Sequence, residues 1–110
     1  MTLQFVRDRL TSLRMKKGIS EAEMSRALGH SKGYMQAISS GRRMMPLEEF
    51  LTILDYLGVT PSEFFVENPA DMMREVQIRK MNNYFRTLPV EVLDLLAEAA
   101  EERVKHLKNQ

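Results

Sequence analysis

The sequence contains no cysteine, and it has only five glycines and four prolines in 110 residues. Without cysteine, neither a disulfide framework nor a thiolate metal site can form. No apolar run is long enough to span a membrane, and charges at Arg7, Asp8 and Arg9 argue against a signal peptide. The net charge of +1 is well below that of a nonspecific nucleic-acid binder. These absences favour a cytoplasmic protein of one domain with a small appendage.

Signals for strands and for catalysis are also missing. Alternating β-branched runs do not occur, and glycine and proline fall at the ends of helical patterns. Neither His30 nor His106 has a second ligand at metal-binding spacing, and the sequence has no nucleophile elbow or phosphate-binding glycine loop. We therefore expect an all-α protein that is not an enzyme and that uses no cofactor, metal or membrane.

Residues 19–43 carry the strongest pattern, two short helices joined by a tight turn. Ser20 and Glu23 form a capping-box motif at the start of the first helix, and Gly29 is expected to end it. Ser31 is expected to cap the second helix. Such a pair is a helix-turn-helix unit, whose second helix can enter the major groove of DNA.

Amphipathic patterns lie on both sides of this unit. One ends at Gly18, a second runs from Pro46 to Gly58, and a last short turn follows Thr60. The first 65 or so residues therefore predict five short helices, with the unit as the second and third. A core position is expected for three methionines, Met15, Met24 and Met35.

The stretch from Phe5 to Phe65 resembles the Cro/repressor-type (XRE-like) helix-turn-helix family of bacterial and phage transcriptional regulators. The residues that carry the resemblance are Gly18-Ile19-Ser20, Met24, Leu28-Gly29, Met35, Ile38, Gly41-Arg42 and the run from Leu57 to Phe65. The resemblance implies a five-helix, lambda-repressor-like domain at residues 1–66. It also implies a regulator, such as a repressor, that binds double-stranded DNA.

The second helix of the unit is expected to make the DNA contacts, with Met35 and Ile38 facing the core. By resemblance, the base-reading positions are Lys32, Gly33, Gln36 and Ala37. Lys32 can donate to guanine, and Gln36 can address adenine. Phosphate contacts are expected from Ser31, Tyr34, Ser40, Arg42, Arg43, Arg14 and Lys17. For the two neighbouring arginines, an ordinary solvated loop is the alternative.

Two positions depart from the family pattern. Glu21 stands where the family usually has glutamine, and its carboxylate would repel a phosphate. The family often pairs an arginine at the position of Arg14 with a glutamate at that of Ser39. Serine cannot form this ion pair, so Arg14 would turn toward the DNA backbone. Glu21 and the sparse recognition helix favour an alternative function, an antitoxin-like or peptide-responsive module that binds a protein partner and binds DNA weakly or not at all. The basic residues around the unit oppose this alternative.

Residues 67–110 predict two longer helices. The first runs from about 69 to 86 after a cap at Asn68, and Leu88-Pro89 separates it from a final helix ending near Lys108. The final helix carries an apolar stripe made of Leu93, Leu96, Ala100, Val104 and Leu107. Two helices cannot hide this much apolar surface from each other, so a homodimer interface is predicted. The alternative is that the segment folds back on the first five helices. A protein or peptide effector is a further expected partner.

Overall fold

A computed structural model describes residues 1–109, which fold into seven helices and contain no strand. In chain order the helices are α1 (Leu3–Lys17), α2 (Glu21–Ala27), α3 (Tyr34–Ser39), α4 (Leu47–Leu57), α5 (Pro61–Phe64), α6 (Pro69–Thr87) and α7 (Val90–Lys108). The prediction of an all-α fold, with five short helices followed by two longer ones, is confirmed.

Side-chain caps fix the starts of α5 and α6 at the predicted residues. The Thr60 hydroxyl accepts a hydrogen bond from the Glu63 N–H at 3.3 Å, and the Glu63 carboxylate accepts one from the Thr60 N–H at 2.9 Å. Asn68 Oδ1 accepts from two first-turn N–H groups of α6, at 2.9 and 3.1 Å. These bonds satisfy donors that have no partner inside the helix, so they set where each helix begins.

The chain divides into two compact units, Met1–Met72 and the part from Met73 onward, and α6 crosses this boundary. Helices α1 to α5 bury the core of the first unit, which includes Leu10, Leu13, Met24, Met35, Ile38, Phe50, Ile53, Leu54, Leu57 and Phe64. The prediction that Met15 lies in this core is wrong, since Met15 is 66% exposed. The periodicity of α1 places Met15 on the face opposite Leu10 and Leu13.

Arg9 ties α1 to the end of α5 and the start of α6. The residue is 7% exposed, and its guanidinium donates to the carbonyl oxygens of Phe64 and Glu67, each at 2.7 Å, and to that of Val66. It also lies 4.6 Å from the centre of the Phe5 ring. Burial lowers the pKa of Arg9, while the charge of Glu67 acts in the opposite direction. In the sequence, Arg9 stood out only as a charge near the N-terminus.

Candidate nucleic-acid interface

Helices α2 and α3 are joined by a tight turn at residues 28–33. At the start of α2, the Ser20 hydroxyl accepts from the Glu23 N–H at 3.0 Å. After α2, Gly29 adopts φ 81°, a left-handed conformation that glycine reaches without a steric penalty. The His30 N–H then donates to the Ser25 carbonyl at 2.9 Å. The predicted start and end of this helix are confirmed.

Ser25 connects the two helices of the unit. Its side chain is fully buried, and its hydroxyl donates to the Glu21 carbonyl at 2.7 Å within α2. The same oxygen accepts from the Met35 N–H at 2.9 Å in the first turn of α3. A side chain of one helix therefore caps the next helix, and this holds the two in register. Ser25 was not predicted from the sequence, where the available signal was a small polar residue beside the inward-facing Met24.

The prediction that Ser31 caps the second helix is wrong. Helix α3 begins at Tyr34, and its N-cap residue is Gly33. The Ser31 carbonyl, rather than its hydroxyl, accepts from the Tyr34 N–H at 3.1 Å. Because Ser25 already satisfies the Met35 N–H, the first turn of α3 does not need the Ser31 side chain.

The predicted base-reading residues lie on the outer side of the unit, at the turn and along α3. Lys32 and Gly33 are exposed in the turn that precedes the helix, and Gln36 is exposed on the helix itself. Ala37 is half-buried. Gly33 has φ −90°, and a Cβ added to it would meet no atom within 4 Å. Three of the four positions are thus open to an approaching duplex.

Arg42 and Gln36 form a hydrogen-bonded pair on this outer side. The Arg42 guanidinium donates through Nη2 to Gln36 Oε1 and through Nε to the Ser40 hydroxyl, the latter at 3.1 Å. All three side chains are exposed. Gln36 Oε1 is therefore engaged within the protein, and its Nε2 group remains to donate outward.

Tyr34 is buried, which contradicts the prediction that it contacts a DNA phosphate. It is 3% exposed, its ring stacks on His30 with centroids 3.7 Å apart, and Arg43 lies 4.9 Å above the ring. Its hydroxyl makes no hydrogen bond of acceptable geometry among residues 1–109. Burial raises the pKa of Tyr34, and the nearby Glu49 carboxylate raises it further. Glu49 itself lies 2.9 Å from His30 Nε2.

Arg14 is also engaged inside the protein, contrary to the expectation that it would turn toward DNA. Its guanidinium donates to the Ile19 carbonyl at 2.7 Å and so closes the loop between α1 and α2. Lys17 is exposed, with its Nζ 5.3 Å from the centre of the Tyr56 ring. The absence of a glutamate at Ser39 therefore did not leave Arg14 without a partner.

Glu21 and Ser39 contact each other across the unit. The Ser39 hydroxyl donates to Glu21 Oε2 at 3.0 Å, and both residues are half-buried. This bond links the first residue of α2 to the last residue of α3. The Glu21 carboxylate therefore has a role in holding α2 against α3, and one of its oxygens is already hydrogen-bonded.

The match to known proteins agrees with this geometry. A protein-family model described as a helix-turn-helix domain matches residues 6–64, more than half of the chain. The chain belongs to this helix-turn-helix family. No curated protein and no solved structure matches it.

The helix-turn-helix domain indicates a DNA-binding regulator, and domains of this family are typically not enzymes. Within the described residues, no helix combines the length and apolar character needed to cross a membrane. Residues 1–109 also contain no group of three or more His, Asp or Glu side chains placed to hold a metal ion.

Outside the helix-turn-helix domain, α7 presents the predicted apolar stripe. Leu93 is half-buried, and the other four stripe residues are exposed: Leu96, Ala100, Val104 and Leu107. Throughout α7, which the structure describes in full, no residue is buried.

Proposed function

We propose that this protein is a sequence-specific transcriptional repressor of the Cro/repressor (XRE-like) type, which binds an inverted-repeat operator as a homodimer. The observation that carries the proposal is the two-sided character of α3 and its flanks. Met35 and Ile38 are buried on one side, while Lys32, Gln36 and Arg42 are exposed together on the other. A helix with this division can lie in a major groove without loss of core packing.

Base reading is assigned to Lys32 and Gln36. Lys32 donates to guanine O6 or N7. Gln36 has its oxygen held by Arg42, so it offers N–H donors and favours an acceptor edge, such as guanine O6 or a purine N7. The bidentate contact with adenine would require this pair to open. Gly33 permits close approach, and Ala37 can touch a thymine methyl group.

Phosphate contacts are assigned to the exposed residues Ser31, Ser40, Arg42, Arg43 and Lys17. Tyr34 and Arg14 are left out, because Tyr34 is buried and the half-buried Arg14 donates inward to the Ile19 carbonyl. We assign DNA binding to residues 1–66 and dimerisation to residues 67–110. Two recognition helices held about 34 Å apart would meet successive major grooves on one face of the duplex.

The test is to select bound DNA from a random pool with the wild-type protein and two variants. Lys32→Ala should relax the preference at one position by about 1–3 kcal/mol. Arg42→Ala should weaken binding to every sequence and reduce the salt dependence by about one charge, because it removes a phosphate contact. Arg42→Ala should also relax the sequence preference at the base that Gln36 contacts, because the Gln36 amide would then be free to rotate.

Arg74→Ala is the matched control, since it removes the same charge from an exposed position on α6. It should leave both the selected sequence and the salt dependence unchanged. If Lys32→Ala selects the same site as the wild type with the same stringency, the assignment of base-reading residues is wrong.

A protein-binding module on the same scaffold is the second candidate. It is favoured by the sparse outer surface of α3, where Gly33 and Ala37 offer no hydrogen-bonding side chain, and by the exposed apolar residues of α7. A protein of this kind would co-purify with a stoichiometric partner and would not be retained on heparin. Retention on heparin together with enrichment of one DNA sequence would reject it.

A further inference from the structure

The apolar stripe of α7 is symmetric about its middle residue. Leu96 and Val104 lie four residues on either side of Ala100, and Leu93 and Leu107 lie seven residues on either side. Exposure remains high along the stripe, at 40% for Leu96, 46% for Val104 and 55% for Leu107. A helix face with this symmetry is complementary to a second copy of itself running in the opposite direction.

Small residues at the centre permit two such helices to approach closely. An apolar groove of about 400 Å³ is lined by Phe85 of α6 and by Leu93, Leu96, Ala97 and Ala100 of α7. Because Ala97 and Ala100 have short side chains, the larger leucines of an opposing helix can fill the space beside them.

The charges of α7 also favour an antiparallel partner. The first half of the helix carries only acidic residues, Glu91, Asp94 and Glu98, whereas its last six residues carry Arg103, Lys105 and Lys108 and no acidic residue. Between these two segments lie Glu101 and Glu102, and Glu101 is 3.8 Å from Lys105 one turn further along the same helix. An antiparallel pair brings each acidic half to the basic end of the other copy, whereas a parallel pair would bring like charges together.

We propose that two copies of this chain associate through α7, packed antiparallel about a two-fold axis beside Ala100. The inference rests on the homodimer of the proposed function and names the surface that forms it. The occupant of the groove is the leucine-rich stripe of the second copy, and Leu93 of one copy lies opposite Leu107 of the other. Each copy offers its own groove and fills the groove of the other copy, so the assembly stops at a dimer.

Cysteine cross-linking in the full-length protein tests the geometry, because the chain has no natural cysteine. Ala100→Cys should form a covalent dimer under mild oxidation. Leu93→Cys and Leu107→Cys should each stay uncross-linked alone, since the two copies of either residue would lie about 21 Å apart along the axis. An equal mixture of these two variants should give the mixed dimer. Leu95→Cys is the control and should form no covalent dimer, because Leu95 lies off the stripe and is 66% exposed.

Sedimentation of two neighbouring leucine variants tests the surface itself. Leu96→Ser should raise the dimer dissociation constant at least about tenfold, because both copies lose a buried side chain. Leu95→Ser removes the same side chain from outside the stripe and should leave the constant unchanged.

Three results would overturn the inference. These are a wild-type protein that stays monomeric, a dimer that resists Leu96→Ser, and self-cross-linking of Leu93→Cys, which requires a parallel pair. A resistant dimer would point to another surface, such as the exposed Met44 and Leu47. Neither experiment contains DNA, so the inference can fail while the selection experiment still supports DNA binding.

Discussion

The two regions of this chain use their apolar residues in opposite ways. The first unit, Met1–Met72, buries its apolar side chains and adds buried polar ones, Arg9 and Ser25, that connect one helix to another. Helix α7 carries a leucine-rich face of its own, yet the structure, which describes this helix throughout, buries none of its residues. The first region therefore completes its core within one chain, whereas the second presents an apolar face that, in our proposal, a second copy covers.

The difference between the two regions should appear in how the melting temperature depends on protein concentration. Substitutions in the first unit should lower the melting temperature equally at low and high protein concentration. Substitutions on the α7 stripe should act mainly at high concentration, because they weaken an equilibrium that depends on mass action. Variants of the first unit at Arg9, Ser25 and Tyr34 should therefore each be measured at two protein concentrations.

The largest effect is expected for Arg9→Ala. The change leaves the carbonyls of Phe64, Val66 and Glu67 without their charged donor, so unfolding by urea should show a loss of about 2–4 kcal/mol. Asp8→Ala is the control, since Asp8 is exposed and makes one hydrogen bond to Gln4. Equal losses for the two variants would mean that Arg9 does not hold the first unit together.

A smaller loss is expected for Ser25→Ala. Without the hydroxyl, the Met35 N–H is buried without an acceptor, which should cost about 1–2 kcal/mol in urea unfolding. Ser12→Ala, at an exposed position of α1, should stay within about 0.5 kcal/mol of the wild type. DNA affinity should fall with Ser25→Ala and not with Ser12→Ala. An unchanged affinity would show that the register of α2 and α3 does not depend on this bond.

The smallest effect is expected for Tyr34→Phe. The buried hydroxyl lies near the Glu49 carboxylate but makes no hydrogen bond of good geometry, so its removal should change the free energy of unfolding by less than about 1 kcal/mol at neutral pH. The variant should gain stability relative to the wild type as the pH rises above 10.0, the ordinary pKa of tyrosine. The folded state, in which the pKa is raised, keeps a proton there that the unfolded state releases, so the wild type loses stability and the variant does not.

Tyr84→Phe is the matched control, because it removes the same hydroxyl from a side chain that is 58% exposed. Tyr34→Phe should also leave DNA affinity unchanged, since a buried hydroxyl cannot reach a phosphate. A clear loss of affinity in Tyr34→Phe would restore the phosphate contact that the burial of Tyr34 argues against.

Local patterns were sufficient to predict that these helices exist, although not where α3 begins. Periodicity and caps placed α5 and α6 at Thr60 and Asn68, and glycine placed the end of α2 at Gly29, because each of these signals acts within a few residues. Met24 and Met35 were correctly placed in the core for the same reason. Met15 was wrongly placed in the core, because that prediction considered the type of residue and not the face of α1 on which Met15 lies.

Contacts that no local pattern encodes account for the residues that were missed or misplaced. Arg9 reaches a carbonyl 55 residues away, and Ser25 caps a helix that begins nine residues later. Tyr34 has the spacing of a surface residue but stacks on His30 in the turn. In each case the partner of the side chain is set by packing, which the neighbours in sequence do not reveal.

Gly33 gives this protein room for evolutionary change. Its φ of −90° does not require glycine, and the space where a side chain would grow is empty. The fold therefore tolerates other residues at this position, which lies beside Lys32 at the edge that would meet DNA in the proposed complex. New target sequences could be acquired here by single substitutions that leave the fold intact, and a library randomised at this codon would sample them directly.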